Sequence, residues 1–81
     1  MNPETVVTVH LASAGRARVA VYDLTGRLVR TLMDESSAAA GDHAVHFDGK
    51  DDRGQHLASG RYFVKAETAS GVDSAPITIL K

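Results

Sequence analysis

Apolar and polar residues alternate with a period of two along most of the chain. A period of two predicts β-strands whose one face packs on a core while the other face meets water. The alternating segments are rich in valine, a β-branched residue that fits a pleated surface. They span Val7–Leu11, 18–22, 44–47 and 61–66.

Short turn signals separate these segments and predict the order of the strands. Asp23–Gly26 predicts a hairpin turn between strands at 19–22 and 28–32, because Asp can accept bonds from nearby amides and Gly allows a positive φ. Gly60 begins the strand around Tyr62, and the last strand is expected at 76–80. The segment 34–42 is expected to be a loop that crosses from one sheet to the other, although its three alanines could form a helical turn.

Six strong strands and a weak seventh near 56–58 predict an all-β, antiparallel immunoglobulin-like β-sandwich of about seven strands. At 81 residues the chain is expected to be a single domain, 1–81. A chain of this size buries roughly 60–65% of its unfolded surface, which allows one modest core but no deep, walled active site. The predicted core residues are Val19, Val21, Phe47, Tyr62 and Val64.

Charge and composition exclude several classes of function. The formal net charge is −1, so the chain lacks the long-range attraction to phosphate or anionic lipid that nucleic-acid or membrane binding uses. No stretch of 18 apolar residues is present, so no membrane insertion is expected. Cysteine is absent, which excludes disulfides. Arg16, Arg18, Arg27 and Arg30 are interpreted as solvated strand faces, with a contact patch as the alternative.

Several motifs resemble one bacterial family. Residues 21–29, VYDLTGRLV, 47–54, FDGKDDRG, and 57–62, LASGRY, are similar to motifs of the FlgD-like immunoglobulin-like domains. These domains overlap in sequence with the C-terminal sorting domains of the type IX secretion system. Asn2-Pro3 and Ile79-Leu80-Lys81 resemble the ends of such domains. Phe47 stands where the family usually has tryptophan.

The resemblance implies a non-catalytic accessory domain of an extracytoplasmic bacterial protein, secreted or at the cell surface. The first hypothesis is that the chain is a C-terminal domain that sorts or anchors its parent protein and is bound by the secretion machinery. The second is a structural spacer or assembly module that contacts neighbouring domains. A carbohydrate-binding module ranks third, because a row of exposed aromatic side chains is missing.

The acidic loop at Asp48, Asp51 and Asp52 is a weak candidate for calcium, since carboxylate oxygens at short spacing can hold that ion. Lys50 and Arg53 lie inside the loop, however. We therefore interpret the loop as structural, with carboxylates that bond loop amides. The predicted turn residues are Asp23, Gly26, Asp48, Gly49, Gly54 and Gly60.

Other chemistry finds little support in the sequence. His10, His43, His46 and His56 are interpreted as separate surface residues, because zinc needs several converging nitrogens. No G-x-S-x-G elbow or phosphate-binding glycine loop occurs, so neither catalysis nor a cofactor is expected. Phe63 is predicted to point outward, either under a neighbouring loop or as a contact point for a partner.

Overall fold

The computed structural model describes residues 5–80 as six β-strands without a helix. Asn2, Pro3 and Lys81, which belong to the family resemblance, lie outside these residues. No helix in the described part is long and apolar enough to cross a membrane. The strands are β1 (Thr5–Leu11), β2 (Gly15–Tyr22), β3 (Leu28–Ala38), β4 (Gly41–Phe47), β5 (Gly60–Thr68) and β6 (Gly71–Ile79).

The strands form two antiparallel sheets, which confirms the predicted antiparallel β-sandwich. One sheet has two strands in the order β1-β4, and the other has four in the order β3-β2-β5-β6. In the small sheet Val7 lies opposite Val45. In the large sheet Val21 lies opposite Val64 of β5. These pairs put valines of both sheets in the core cluster or packed against it.

The core lies between the sheets and is formed by the alternating side chains. Phe47, Val19 and Val21 are completely shielded from solvent. Tyr62 and Val64 are also buried, and the Tyr62 hydroxyl donates a 2.8 Å hydrogen bond to the carbonyl of Ala58. This bond satisfies the polar end of an otherwise apolar side chain.

The predicted loop at 34–42 is wrong, because β3 continues through Ala38 and only Ala39 and Ala40 separate it from β4. The chain does cross between the sheets here, but within two residues. The β2–β3 pairing has register shifts at Gly15/Ala17, Val19/Ala20 and Val21/Tyr22. Such irregularities break the strict alternation along β3, and this hides a long strand from a period-two pattern.

Two further strand predictions differ from the structure. Residues 56–58 form no strand, and His56 makes only an isolated bridge to Lys50. The last strand begins at Gly71 instead of residue 76, and it pairs with β5 over its whole length. Its exposed early part, VDSA, lacks the apolar alternation that marks the other strands.

Loops and turns divide between the two ends of the sandwich. The 23–27 turn, the 48–59 loop, the start of β1 and the end of β6 lie at one end, which we call the loop end. The short connections at 12–14, 39–40 and 69–70 lie at the opposite end. The loop end therefore carries the irregular structure that could hold a site.

We expect Phe47→Ala to lower the free energy of unfolding by about 3–5 kcal/mol, because it leaves a cavity where the largest fully buried side chain was. Phe63→Ala is the matched control, since Phe63 is 38% exposed on the outer face of the large sheet. That control should cost about 1 kcal/mol or less. Urea unfolding curves measure both, and equal losses would contradict this core.

Candidate functional site: the loop end and the outer sheet face

The turn between β2 and β3 is organised by one carboxylate. Asp23 Oδ1 accepts hydrogen bonds from the Thr25 amide at 2.9 Å, the Thr25 hydroxyl at 2.6 Å and the Arg27 amide at 3.0 Å. The Gly26 amide donates to the Asp23 carbonyl, and the Asp23 amide donates to the Arg27 carbonyl. The side chain thus replaces strand partners that the turning backbone loses.

The same arrangement recurs in the acidic loop. Asp51 Oδ1 accepts from the amides of Arg53 at 2.9 Å and Gln55 at 3.0 Å. The Gly54 amide donates to the Asp51 carbonyl, and the Asp51 amide donates to the Gln55 carbonyl. The sequence pattern Asp-x-x-Gly-x therefore builds the same turn twice, a repetition that the sequence analysis missed.

The predicted turn glycines all have positive φ. Gly26 and Gly54 occupy equivalent places in the two turns, with φ of 86° and 84°. Side chains with a Cβ rarely adopt this left-handed conformation, so glycine at these two places follows from the backbone path. Gly49 and Gly60 have φ of 75° and 151°.

Arg30 holds the acidic loop against the large sheet. Its Nη1 lies 3.1 Å from Asp48 Oδ1, 3.0 Å from the Lys50 carbonyl and 3.3 Å from the Asp51 carbonyl. The side chain is only 25% exposed. The interpretation of Arg30 as a solvated residue is therefore wrong, because its guanidinium donates hydrogen bonds to acceptors in a loop about twenty residues further along the chain.

Backbone contacts add to this attachment. The Asp52 amide donates to the Val29 carbonyl at 3.0 Å, and Asp52 Oδ1 accepts from the Thr31 amide at 3.1 Å. The Leu57 amide donates to the Gly49 carbonyl, which closes the base of the loop. Loop and β3 thus behave as one hydrogen-bonded unit.

Two of these carboxyl groups titrate below their ordinary range. The hydrogen bond from the Thr25 hydroxyl, followed by that from the Arg27 amide, lowers the pKa of Asp23. For Asp48, partial burial is the largest influence and would raise the pKa. The hydrogen bonds from the Lys50 and Asp48 amides and the charges of Arg30 and Lys50 together outweigh it, so the pKa of Asp48 is lowered.

The acidic loop uses its carboxylates internally. Asp48, Asp51 and Asp52 each accept hydrogen bonds from backbone amides, and Asp48 also faces Arg30. Within residues 5–80 no group of three or more His, Asp or Glu side chains is arranged to hold a metal ion. This geometry favours a structural role for the loop over calcium binding.

The histidines lie at separate places. His10 Nδ1 lies 2.7 Å from Asp42 Oδ1 across the β1–β4 pair, with both side chains 70% exposed. His43 Nε2 lies 2.6 Å from the Ala39 carbonyl. His46 is exposed on β4, and His56 is exposed in the acidic loop.

The outer face of the large sheet carries an apolar row with one residue from each strand. Tyr22 lies opposite Leu28 on one side and Phe63 on the other, and Phe63 lies opposite Pro76. Leu28 and Phe63 are 41% and 38% exposed. We call these four residues the apolar row. Beside it, Leu24 of the 23–27 turn is 66% exposed, so the sheet and the turn together expose apolar surface.

A basic cluster adjoins the apolar row. Arg16, Arg18 and Lys65 lie 4.0, 3.7 and 3.6 Å from the carboxylate of Glu67. Arg18 Nη1 also donates to the Tyr22 hydroxyl at 3.1 Å, and Lys65 Nζ lies 5.5 Å from the centre of the Tyr22 ring. Asp34, opposite Arg18 on β3, is the second carboxylate of this group, so three cations and two carboxylates leave a small positive excess.

Comparison with known proteins connects this geometry to one family. A family model described as the FlgD Ig-like domain matches residues 2–72. The crystal structure of FlgD from P. aeruginosa is 26% identical, with a TM-score of 0.70, over 93% of this chain and 58% of that chain. The structure of FlgD from Xanthomonas campestris is 25% identical, with a TM-score of 0.65, over 93% of this chain and 54% of that chain. The chain thus spans little more than half the length of these two proteins. No curated protein sequence matches it.

We expect Arg30→Met to lower the free energy of unfolding by about 1–2 kcal/mol, because it removes a partly buried, charge-assisted donor from three loop acceptors. Arg27→Met is the matched control, since Arg27 is 78% exposed and lies 3.7 Å from Asp23. Chemical unfolding of both variants measures the difference. A similar loss in both variants would show that the attachment through Arg30 is unimportant.

Stability should fall as the solution is acidified below about pH 4. The folded chain lowers the pKa of Asp23 and Asp48, so the unfolded chain binds protons first as the pH drops. Their contribution is complete above the unfolded pKa and disappears as the pH passes through the lower folded pKa. Asp48→Asn should flatten this dependence. Urea midpoints between pH 6 and pH 3 test it, and an unchanged slope in the variant would contradict the assignment.

Proposed function

The chain belongs to the FlgD Ig-like domain family, and from this membership we propose that it is a non-catalytic structural module of an exported bacterial assembly. The module joins its parent protein to a neighbouring domain or protein. Its site of action is extracytoplasmic, at the cell surface or in a secreted complex.

The apolar row is the observation that carries this proposal. Adjacent strands of the large sheet each contribute one apolar residue, and Leu28 and Phe63 remain more than a third exposed. A contiguous apolar surface next to charged residues is typical of a protein contact. A partner that buries the row and presents carboxylates to Arg16, Arg18 and Lys65 would match both the apolar surface and the adjoining charge.

The relatives agree with a role in assembly. The X. campestris FlgD structure is described in terms of hook capping essential for flagellar assembly. That description applies to a protein almost twice as long as the matched part, so we transfer only the general role of a building module. The kind of partner that this chain would bind is inferred from the apolar row and the basic cluster on its own surface.

The polar residues with the most contacts support a non-catalytic module. Asp23, Asp51 and Arg30 form their hydrogen bonds with the backbone of the chain's own turns and loop. Groups bonded in this way stabilise the shape of the domain and are not free to act on a substrate. Carbohydrate binding is also disfavoured, because Phe47 and Tyr62 are buried and only Tyr22 and Phe63 remain as accessible aromatics.

Sorting by a secretion machine is the rival function, which the sequence resemblance favours. The sorting role and the structural role differ in the step that fails when the domain is damaged. A sorting domain is needed for export of its parent. An assembly module is needed after export.

The test is a paired substitution in the full-length parent protein, expressed in its own bacterium. Leu28→Lys with Phe63→Lys places charge in the apolar row. Ala44→Lys is the matched control, since Ala44 is an exposed apolar residue of β4 on the other sheet. Two readouts are followed: the fraction of parent exported, and the fraction that sediments in a larger complex.

We expect the row variant to be exported like the wild type but to be lost from the complex, while the control stays in it. Retention of the row variant inside the cell would favour sorting and overturn the assembly role. Normal export together with normal assembly would also overturn it. Far-ultraviolet circular dichroism of the isolated 81-residue chain checks that the row variant keeps its fold.

A further inference from the structure

We propose that the free edge of β1 accepts a donor β-strand from another polypeptide, whose side chains fill the cleft between β1 and β6. The donor is an extended segment of about seven residues, the length of β1, with apolar side chains at alternate positions and a Lys or Arg at its first position. This edge is separate from the apolar row, so the inference does not rest on the proposed function.

The unequal sheets point to a missing neighbour of β1. Sandwiches of the immunoglobulin type usually have seven or more strands, with at least three in each sheet. Here the small sheet has two strands, and among residues 5–80 the only strand paired with β1 is β4. The other edge of β1 has no strand beside it in the described part of the chain.

A cleft opens beside this edge. Its volume is about 550 Å³, and it lies between β1 and the β5–β6 side of the large sheet. Val7, Val9, Val64 and Ile77 line it. Val9 and Val64 belong to the core, and Val7 and Ile77 pack against it while staying partly exposed. The core is therefore accessible from this side, as expected where a sandwich lacks a strand.

The two strands that border the cleft, β1 and β6, differ in how well they can pair with an added strand. Pro76 of β6 has no amide hydrogen to offer a new strand, and proline on an edge is a common protection against pairing. The β1 segment TVVTVHL contains no proline, glycine, lysine, arginine or acidic residue. Its β-branched composition favours an extended partner. A donor would therefore pair with β1 and only pack against β6.

Charge defines one end of the donor. Asp73 is exposed, lines the cleft and makes no ion pair with any residue in 5–80. Because it lies near the start of β6, it is at the end of the cleft where β1 finishes. A donor that runs antiparallel to β1 begins at this end, so its first residue meets Asp73. A cation there complements the carboxylate.

The experiment uses the 81-residue chain and a blocked synthetic peptide that alternates valine and threonine after an initial lysine. Amide chemical shifts in a ¹⁵N spectrum report the site and the dissociation constant. We expect shifts in β1 and β6 and none along the 48–59 loop. Two N-methylated versions of the peptide distinguish strand pairing from apolar contact. Each version replaces the amide hydrogens along one edge of the extended peptide by methyl groups, so that edge can no longer pair with a strand. Only the version that blocks the edge facing β1 should lose binding.

Asp73→Asn should weaken the lysine peptide about two- to fivefold, the range of an exposed ion pair. Glu67→Gln is the matched control, because Glu67 lies in the basic cluster on the outer face. Replacing the initial lysine of the peptide by glutamate should weaken binding to the wild type more than to Asp73→Asn.

Three results would overturn the proposal. One is equal binding of the two N-methylated peptides, and another is the absence of shifts in β1. The third is concentration-dependent dimerisation in sedimentation experiments that the peptide cannot displace, because a second copy of the chain would then occupy the edge.

Discussion

The fold depends on the burial of apolar side chains between two sheets. The chain crosses between the sheets at 12–14, 39–40 and 48–59, but within residues 5–80 no strand of one sheet pairs with a strand of the other, so Phe47 of the small sheet and Val19 and Val21 of the large one hold the sheets together. Each strand contributes alternate side chains to this layer, and the outward residues are then free to vary. The apolar row is informative for that reason, because no packing within the domain requires it.

The loop end shows how a short chain obtains rigid shape outside its sheets. One turn design, an aspartate that accepts amides up to four residues later, serves both Asp23 and Asp51. Arg30 then joins the second turn to the large sheet through carbonyls and through Asp48. Buried or half-buried polar groups are stabilising only when their bonds are complete, and here the backbone supplies the partners. The acidic residues of the loop are thus explained by architecture.

Much of this architecture could be predicted from the sequence, and the exceptions have physical causes. Period-two alternation located four strands, and the turn signal at Asp23–Gly26 located the hairpin that adds the strand at 28–32. The pattern failed where register shifts interrupt β3 and where the exposed start of β6 lacks apolar alternation. The role of Arg30 could not be deduced, since its acceptors are eighteen to twenty-one residues away. The apolar row also escaped notice, because its members are neighbours only across strands.

The position of the two chain ends has a mechanical consequence. β1 begins and β6 finishes at the same end of the sandwich, and the two strands are not paired with each other. Tension applied through both ends would peel each strand from its single partner, breaking hydrogen bonds one after another instead of shearing a whole ladder at once. A domain loaded in this way yields at low force. A strand bound along β1 would pair β1 on both edges and raise the force that the domain can bear.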